Sequence, residues 1–179
     1  MILYLTGPPG AGKSSAGKLL AEKAEQPFID LDLAIEEHTG KSISDIFTQD
    51  GEYFFRCIEK ELLHEYSVCD NAVIAVGGGA VLDESNRQFM RNKGTIMLLV
   101  ASPETLWARI EGAALHNDRA SGVIKVASRP LLTGDSKNVL RNLLYKRAAA
   151  YCDADGILDT TAMSLQETAD YLLGKFYEK

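Results

Sequence analysis

The stretch Ile2-Leu3-Tyr4-Leu5-Thr6-Gly7-Pro8-Pro9-Gly10-Ala11-Gly12-Lys13-Ser14-Ser15 decides how this chain is read. Gly7 to Ser14 fits G-x-x-x-x-G-K-[ST], the pattern of a phosphate-binding loop. The apolar, partly β-branched run before it suits a buried parallel strand, and residues 15–23 after it read as a helix. In such a loop the glycines let successive backbone N–H groups point inward at phosphate oxygens, and the helix dipole adds positive potential. Lys13 supplies a mobile charge for the β- and γ-phosphates, and the Ser14 hydroxyl is placed to ligate Mg²⁺. The loop therefore predicts a bound nucleoside triphosphate, with Gly10, Ala11, Gly12, Lys13, Ser14 and Ser15 as its contacts. An ordinary Gly-rich turn would not need both the strand and the helix. A dinucleotide fingerprint is excluded because its third glycine would fall on Ser15.

The 179 residues suit one domain. A net charge of −6 argues against binding to nucleic acid, whose affinity comes from clustered Lys and Arg. Cys57, Cys69 and Cys152 are odd in number and lack ligand spacing, so neither a disulfide framework nor a zinc site is indicated. The N-terminus has no basic region before its short apolar run, and no stretch reaches the ~18 apolar residues of a membrane span. A cytoplasmic monomer acting on a small molecule, without nucleic-acid or membrane partners, is the expectation.

Apolar strand-like runs recur at 2–5, 28–29, 72–76, 95–100 and 156–158, separated by amphipathic helical stretches. That alternation predicts an α/β fold, a five-stranded parallel sheet with helices on both faces. Between the second and third strands, 33–38, 43–48 and 52–66 form a long helical insertion, suited to holding a substrate over the strand ends. Residues 111–128 mix glycine, polar and basic residues and read as a lid. Helices at 137–151 and 164–176 close the chain, the last opened by a Ser164/Glu167 capping box.

Asp30 and Asp32 follow the second strand, at the carboxyl end where open α/β sheets bind ligands. Spaced i, i+2 on an extended segment, they would share a face, one holding the Mg²⁺ water shell and the other taking a proton from an attacking hydroxyl. Equally, Asp32 could cap a helix starting at Leu33, with Asp30 merely exposed. Arg56 and Glu59 are i, i+3 neighbours on a helix, by default an exposed ion pair, although a guanidinium held by a carboxylate also makes a clamp for a substrate carboxylate. Gly77-Gly78-Gly79 allows close backbone approach to a ligand, or simply a tight turn. Arg129, Lys146 and Arg147 complete the candidate cations.

Taken in order, these segments resemble the shikimate kinase family over residues 2–151. The shared pattern comprises the Gly7 to Ser14 loop and Asp30-Leu31-Asp32 followed by Ile35, Glu36, Thr39, Gly40, Ser42, Ile43 and Phe47. It continues through G-E-x-x-F-R-x-x-E from Gly51 to Glu59, G-G-G-A-V from Gly77 to Val81, R-P-L-L from Arg129 to Leu132, and K-R-x-x-x-Y from Lys146 to Tyr151. The resemblance implies the P-loop nucleoside monophosphate kinase-like fold, in one domain over 1–179 with a substrate-binding helical region at 31–66. It also implies ATP-dependent phosphorylation of the 3-hydroxyl of shikimate in aromatic amino acid synthesis. On that resemblance Asp32 binds substrate hydroxyls and is the base, Arg56 and Arg147 grip the carboxylate, and Gly78 adds a backbone contact. Ser14 and Asp30 organise Mg²⁺, Lys13 binds phosphates, Arg109 faces adenine, and Arg129 closes with the lid to neutralise the transferring group. The chain departs from the family in the longer stretch between Arg109 and Arg129, where Arg119 and Lys125 are further cations.

Two other readings compete. One is a kinase of the same fold acting on another hydroxylated carboxylate such as gluconate. The other is a non-catalytic nucleotide-binding regulator that kept the loop.

Overall fold

The computed structural model describes residues 1–117 and 136–177. Its centre is β1 (Ile2–Thr6), buried along its whole length. Alternate side chains of β1 enter opposite faces, so Ile2 and Tyr4 join one apolar cluster while Leu3 and Leu5 join the other. The sheet is parallel throughout and ordered β2-β3-β1-β4-β5, with β2 at Phe28–Asp30, β3 at Ala72–Ala75, β4 at Gly94–Val100 and β5 at Gly156–Asp159. Leu5 pairs in register with both Ala75 and Met97, which brings the loops after β1 and β3 out at the same edge.

Helix α1 (Lys13–Lys23) follows the phosphate loop, and α2 (Leu31–Thr39), α3 (Ile43–Gln49) and α4 (Gly51–Tyr66) form the expected insertion. Gly40, left-handed at φ 65°, ends α2, and the Ser42 side chain caps α3 through Asp45 N–H. A 3₁₀ turn (Ala80–Leu82) leads into α5 (Glu84–Lys93), and α6 (Pro103–Asn117), α7 (Ser136–Tyr151) and α8 (Leu165–Phe176) complete the chain. Ser164 and Glu167 form the capping box that opens α8, at 3.2 and 2.7 Å. Helices α2 to α5 cover one face of the sheet and α1, α6 and α8 the other, while α7 joins both apolar clusters, through Tyr151 and Leu140.

Helix α6 reaches into the segment expected to be a loop. It runs on to Asn117, so 111–117 are helical, as the strong helix formers Ala113, Ala114 and Leu115 favour once Gly112 is tolerated. The rest of that segment, with Arg119, Lys125 and Arg129, lies outside the described residues. Among the described residues no helix is long and apolar enough to cross a membrane, and the three cysteines are exposed and free.

Candidate active site

At the end of β1 the chain turns into α1 through Gly12, whose φ of 92° a side chain would resist. No side chain caps the start of α1 and no acidic residue occupies its first turn. Its exposed N–H groups and dipole therefore point at the loop unopposed, which is what an anion requires. Lys13 Nζ donates to Gly7 O at 3.0 Å and Pro8 O at 3.3 Å, lying across the loop. A Cβ at Gly10 would come within 2.6 Å of Leu106 O, so α6 packs directly against the loop. One turn along α6, Arg109 donates to Thr160 Oγ1 at 3.0 Å, Thr160 O at 2.6 Å and Met163 O at 3.3 Å. It is thereby fixed to the segment that follows β5, beside the phosphate loop.

Asp30 and Asp32 take different places from those expected. β2 ends at Asp30 and α2 starts at Leu31, so the two carboxylates share no strand face. Asp30 is the helix cap: its Oδ1 accepts from Asp32 N at 3.1 Å and Leu33 N at 3.4 Å. Asp32 is consequently not the cap but a first-turn acid, stabilised by the helix dipole and carried toward β3.

A second cluster of charged side chains is assembled around Gly77-Gly78-Gly79. Arg56 Nη1 donates to Glu59 Oε2 at 2.6 Å, and Nη2 donates to the more exposed Glu52 Oε1 at 3.1 Å. The guanidinium also lies 5.0 Å from the Phe55 ring centroid. Glu59 is only 1% exposed, so the expected surface pair describes Glu52 and not Glu59. Burial pushes the Glu59 carboxyl up to about 7; Asp32 adds to this, and Arg56 and Arg147 oppose it. A Cβ at Gly77 would lie 2.9 Å from Glu59 Oε1 and 3.2 Å from Asp32 Oδ1. At Gly79 it would strike Arg56 Nη1 at 2.5 Å, and at Gly78 it would meet Gly7 O at 2.5 Å, Tyr151 Oη at 2.6 Å and Arg147 Nη1 at 2.9 Å. The three glycines thus admit Asp32, Arg56 and Arg147 around one turn, against the phosphate loop itself.

Arg147 is buried, and its Nε has no partner among the described residues. A buried guanidinium beside a glycine turn suits an anionic group that would complete its bonding. Tyr151, one helical turn on, donates to Gly78 O at 3.3 Å, and burial raises its phenol pKa against the lowering effect of Arg147.

The phosphate loop and this cluster meet at Gly78, and comparison with known proteins names the family. A model of the family "Shikimate kinase" matches residues 9–176. The chain belongs to the shikimate kinase family. Shikimate kinase of Symbiobacterium thermophilum is 38% identical over 100% of this chain and 98% of that protein, and that of Persephonella marina is 36% identical over 97% of each. Among solved structures, shikimate kinase from Acinetobacter baumannii in complex with shikimate superposes with a TM-score of 0.84 at 32% identity, covering 97% and 91% of the two chains. The Bacteroides thetaiotaomicron shikimate kinase gives 0.80 at 33% identity over 98% and 97%. As a shikimate kinase, the chain is an enzyme with the fold of the P-loop nucleoside monophosphate kinases, and ATP is the family's phosphate donor.

Several site residues escaped the sequence reading. Tyr151 was visible only as a motif letter, although its i, i+4 spacing to Arg147 was the signal; Glu59 is legible as the partner of Arg56, but its burial is not. Thr160 and Met163, which hold Arg109, carried no signal because the contact spans 51 and 54 positions.

Proposed function

We propose that this shikimate kinase transfers the γ-phosphoryl group of ATP to the 3-hydroxyl of shikimate, with the phosphate loop as donor site and the glycine turn as acceptor site. The observation that carries this reading is Gly78, packed between Gly7 O of the donor loop and Arg147 and Tyr151 of the acceptor side. Arg56 and Arg147 bind the acceptor carboxylate, and Gly78 offers backbone to it. Asp32 orients the hydroxyl and takes its proton, the task phosphoryl transfer leaves to a carboxylate. Lys13 and the first-turn N–H groups of α1, including those of Ser14 and Ser15, hold the phosphates; Arg109 faces the adenine.

The donor set also suits Mg²⁺: Ser14 supplies a hydroxyl and Asp30 a carboxylate whose bonds among the described residues both fall on Oδ1. Those two residues would hold the ion, which supplies charge neutralisation at the β- and γ-phosphates. Arg129 is assigned to neutralising the transferring group, by resemblance alone. The test is ADP release from ATP with shikimate, quinate, gluconate and nucleoside monophosphates offered in parallel. Turnover highest with shikimate supports the assignment; turnover highest with any other acceptor overturns it.

A further inference from the structure

Arg87 and Asp153 lie outside the groups assigned above, yet their bonds join the two elements that carry the acceptor site. Arg87, on α5, donates from Nη1 to Val81 O at 2.6 Å and Leu82 O at 3.2 Å, in the turn that continues from Gly77-Gly78-Gly79. Its Nε donates to Asp153 Oδ2 at 2.7 Å, two residues beyond the end of α7. Neighbouring Asn86 holds the same turn, through Nδ2 to Ala80 O at 3.0 Å. Arg147 lies on α7 with no partner for Nε among the described residues; its side chain is hydrogen-bonded to Tyr151 one turn on, so where the guanidinium sits depends on where the end of α7 is held.

We propose that Arg87 and Asp153 form a positioning pair that locks the end of α7 to the 3₁₀ turn and so holds Arg147 over Gly78 at the acceptor's carboxylate. The pair touches no reacting atom. Its geometry differs from that of nearby Arg91, which also bonds Asp153 but otherwise reaches only Asp153 O and Asp155, and never the turn. Arg87 is well covered, its side chain 16% exposed against 36% for Arg91. Exposed pairs of the Arg91 kind contribute little. A guanidinium that bridges two backbone carbonyls and a carboxylate fixes geometry, and small displacements of a binding group weaken binding strongly.

This inference rests on the assignment of Arg147 and Gly78 to the acceptor. Steady-state kinetics of the full chain, run below each variant's thermal midpoint, test it. Asp153→Ala and Arg87→Gln each raise the KM for shikimate about tenfold while the KM for ATP stays within about twofold, a split that lost stability alone would not produce. Asp153→Glu restores the shikimate KM to within about threefold, and Arg91→Ala leaves it within about twofold. Asp153→Asn, nearly the same shape, serves where Asp153→Ala does not fold. Equal movement of both KM values, no movement of either, or an effect of Arg91→Ala as large as that of Arg87→Gln overturns the pair. Arg147→Lys, measured alongside, separates the two layers. If it leaves the shikimate KM unchanged, the acceptor assignment fails; if it raises that KM while Asp153→Ala and Arg87→Gln do not, only the positioning pair fails.

Discussion

Arg56 Nη1 donates to Glu59 Oε2 across 2.6 Å, from a guanidinium that faces the glycine turn to a carboxylate that is almost wholly buried. The site is therefore built on a carboxyl whose burial opposes the charge that Arg56 needs. Its pKa of about 7, against 4.5 ordinarily, means that between those values the folded chain holds a proton the unfolded chain has released. That contribution to stability is complete below the ordinary carboxylate pKa and is lost as pH rises through about 7.

Glu59→Gln removes this titration. Relative to the variant, the unaltered protein loses about 2 to 3 kcal/mol of unfolding free energy between pH 5 and 8. Denaturant melts of both proteins across that range measure the difference. Parallel profiles would contradict the burial argument. The low-exposure pair also predicts function in the opposite sense: Glu59→Gln weakens the hold on Arg56 and raises the shikimate KM several-fold at pH 8, where the parent carboxyl is ionised.

The glycines of the turn differ in what they protect. Gly79 has an ordinary right-handed backbone, so Gly79→Ala acts only through the methyl group set against Arg56. The expected outcome is a shikimate KM raised about tenfold with the ATP KM unchanged. Gly78→Ala raises both, because its methyl group also meets Gly7 O of the phosphate loop. Kinetics with each substrate varied in turn distinguish the two variants, and identical effects would argue against separate donor and acceptor walls.

Much of this arrangement was legible in the sequence, for physical reasons that also mark where legibility stopped. The alternation of apolar runs placed all five strands, since the central strands of a covered parallel sheet are buried on both faces, and the Ser164/Glu167 box marked the start of α8. For Asp30 and Asp32 the local geometry, a shared strand face or a cap at Asp32, differs from the expectation: i, i+2 spacing looks the same on a strand and at a helix start, and only the cap bonds from Asp32 N and Leu33 N decide. The burial of Glu59 involves Gly77 packing against it from the turn after β3, a contact between segments that no local pattern encodes.

Arg109 makes three hydrogen bonds to the loop after β5, two of them to main-chain oxygens. Arg109→Ala is expected to raise the ATP KM about tenfold through loss of the base-facing edge, and to lower the thermal midpoint by a few degrees, with the shikimate KM unaffected. An unchanged ATP KM would remove Arg109 from the nucleotide site.

The most direct test of the two-sided site is Asp32→Asn, assayed for shikimate-dependent ADP release and, by calorimetry, for ATP affinity. Asn keeps the shape and the helix but cannot take the proton. Turnover is expected to fall about a hundred to ten thousandfold with ATP affinity essentially unchanged. Near-normal turnover, or an equal loss of ATP binding, would contradict the assignment of Asp32 to the acceptor hydroxyl.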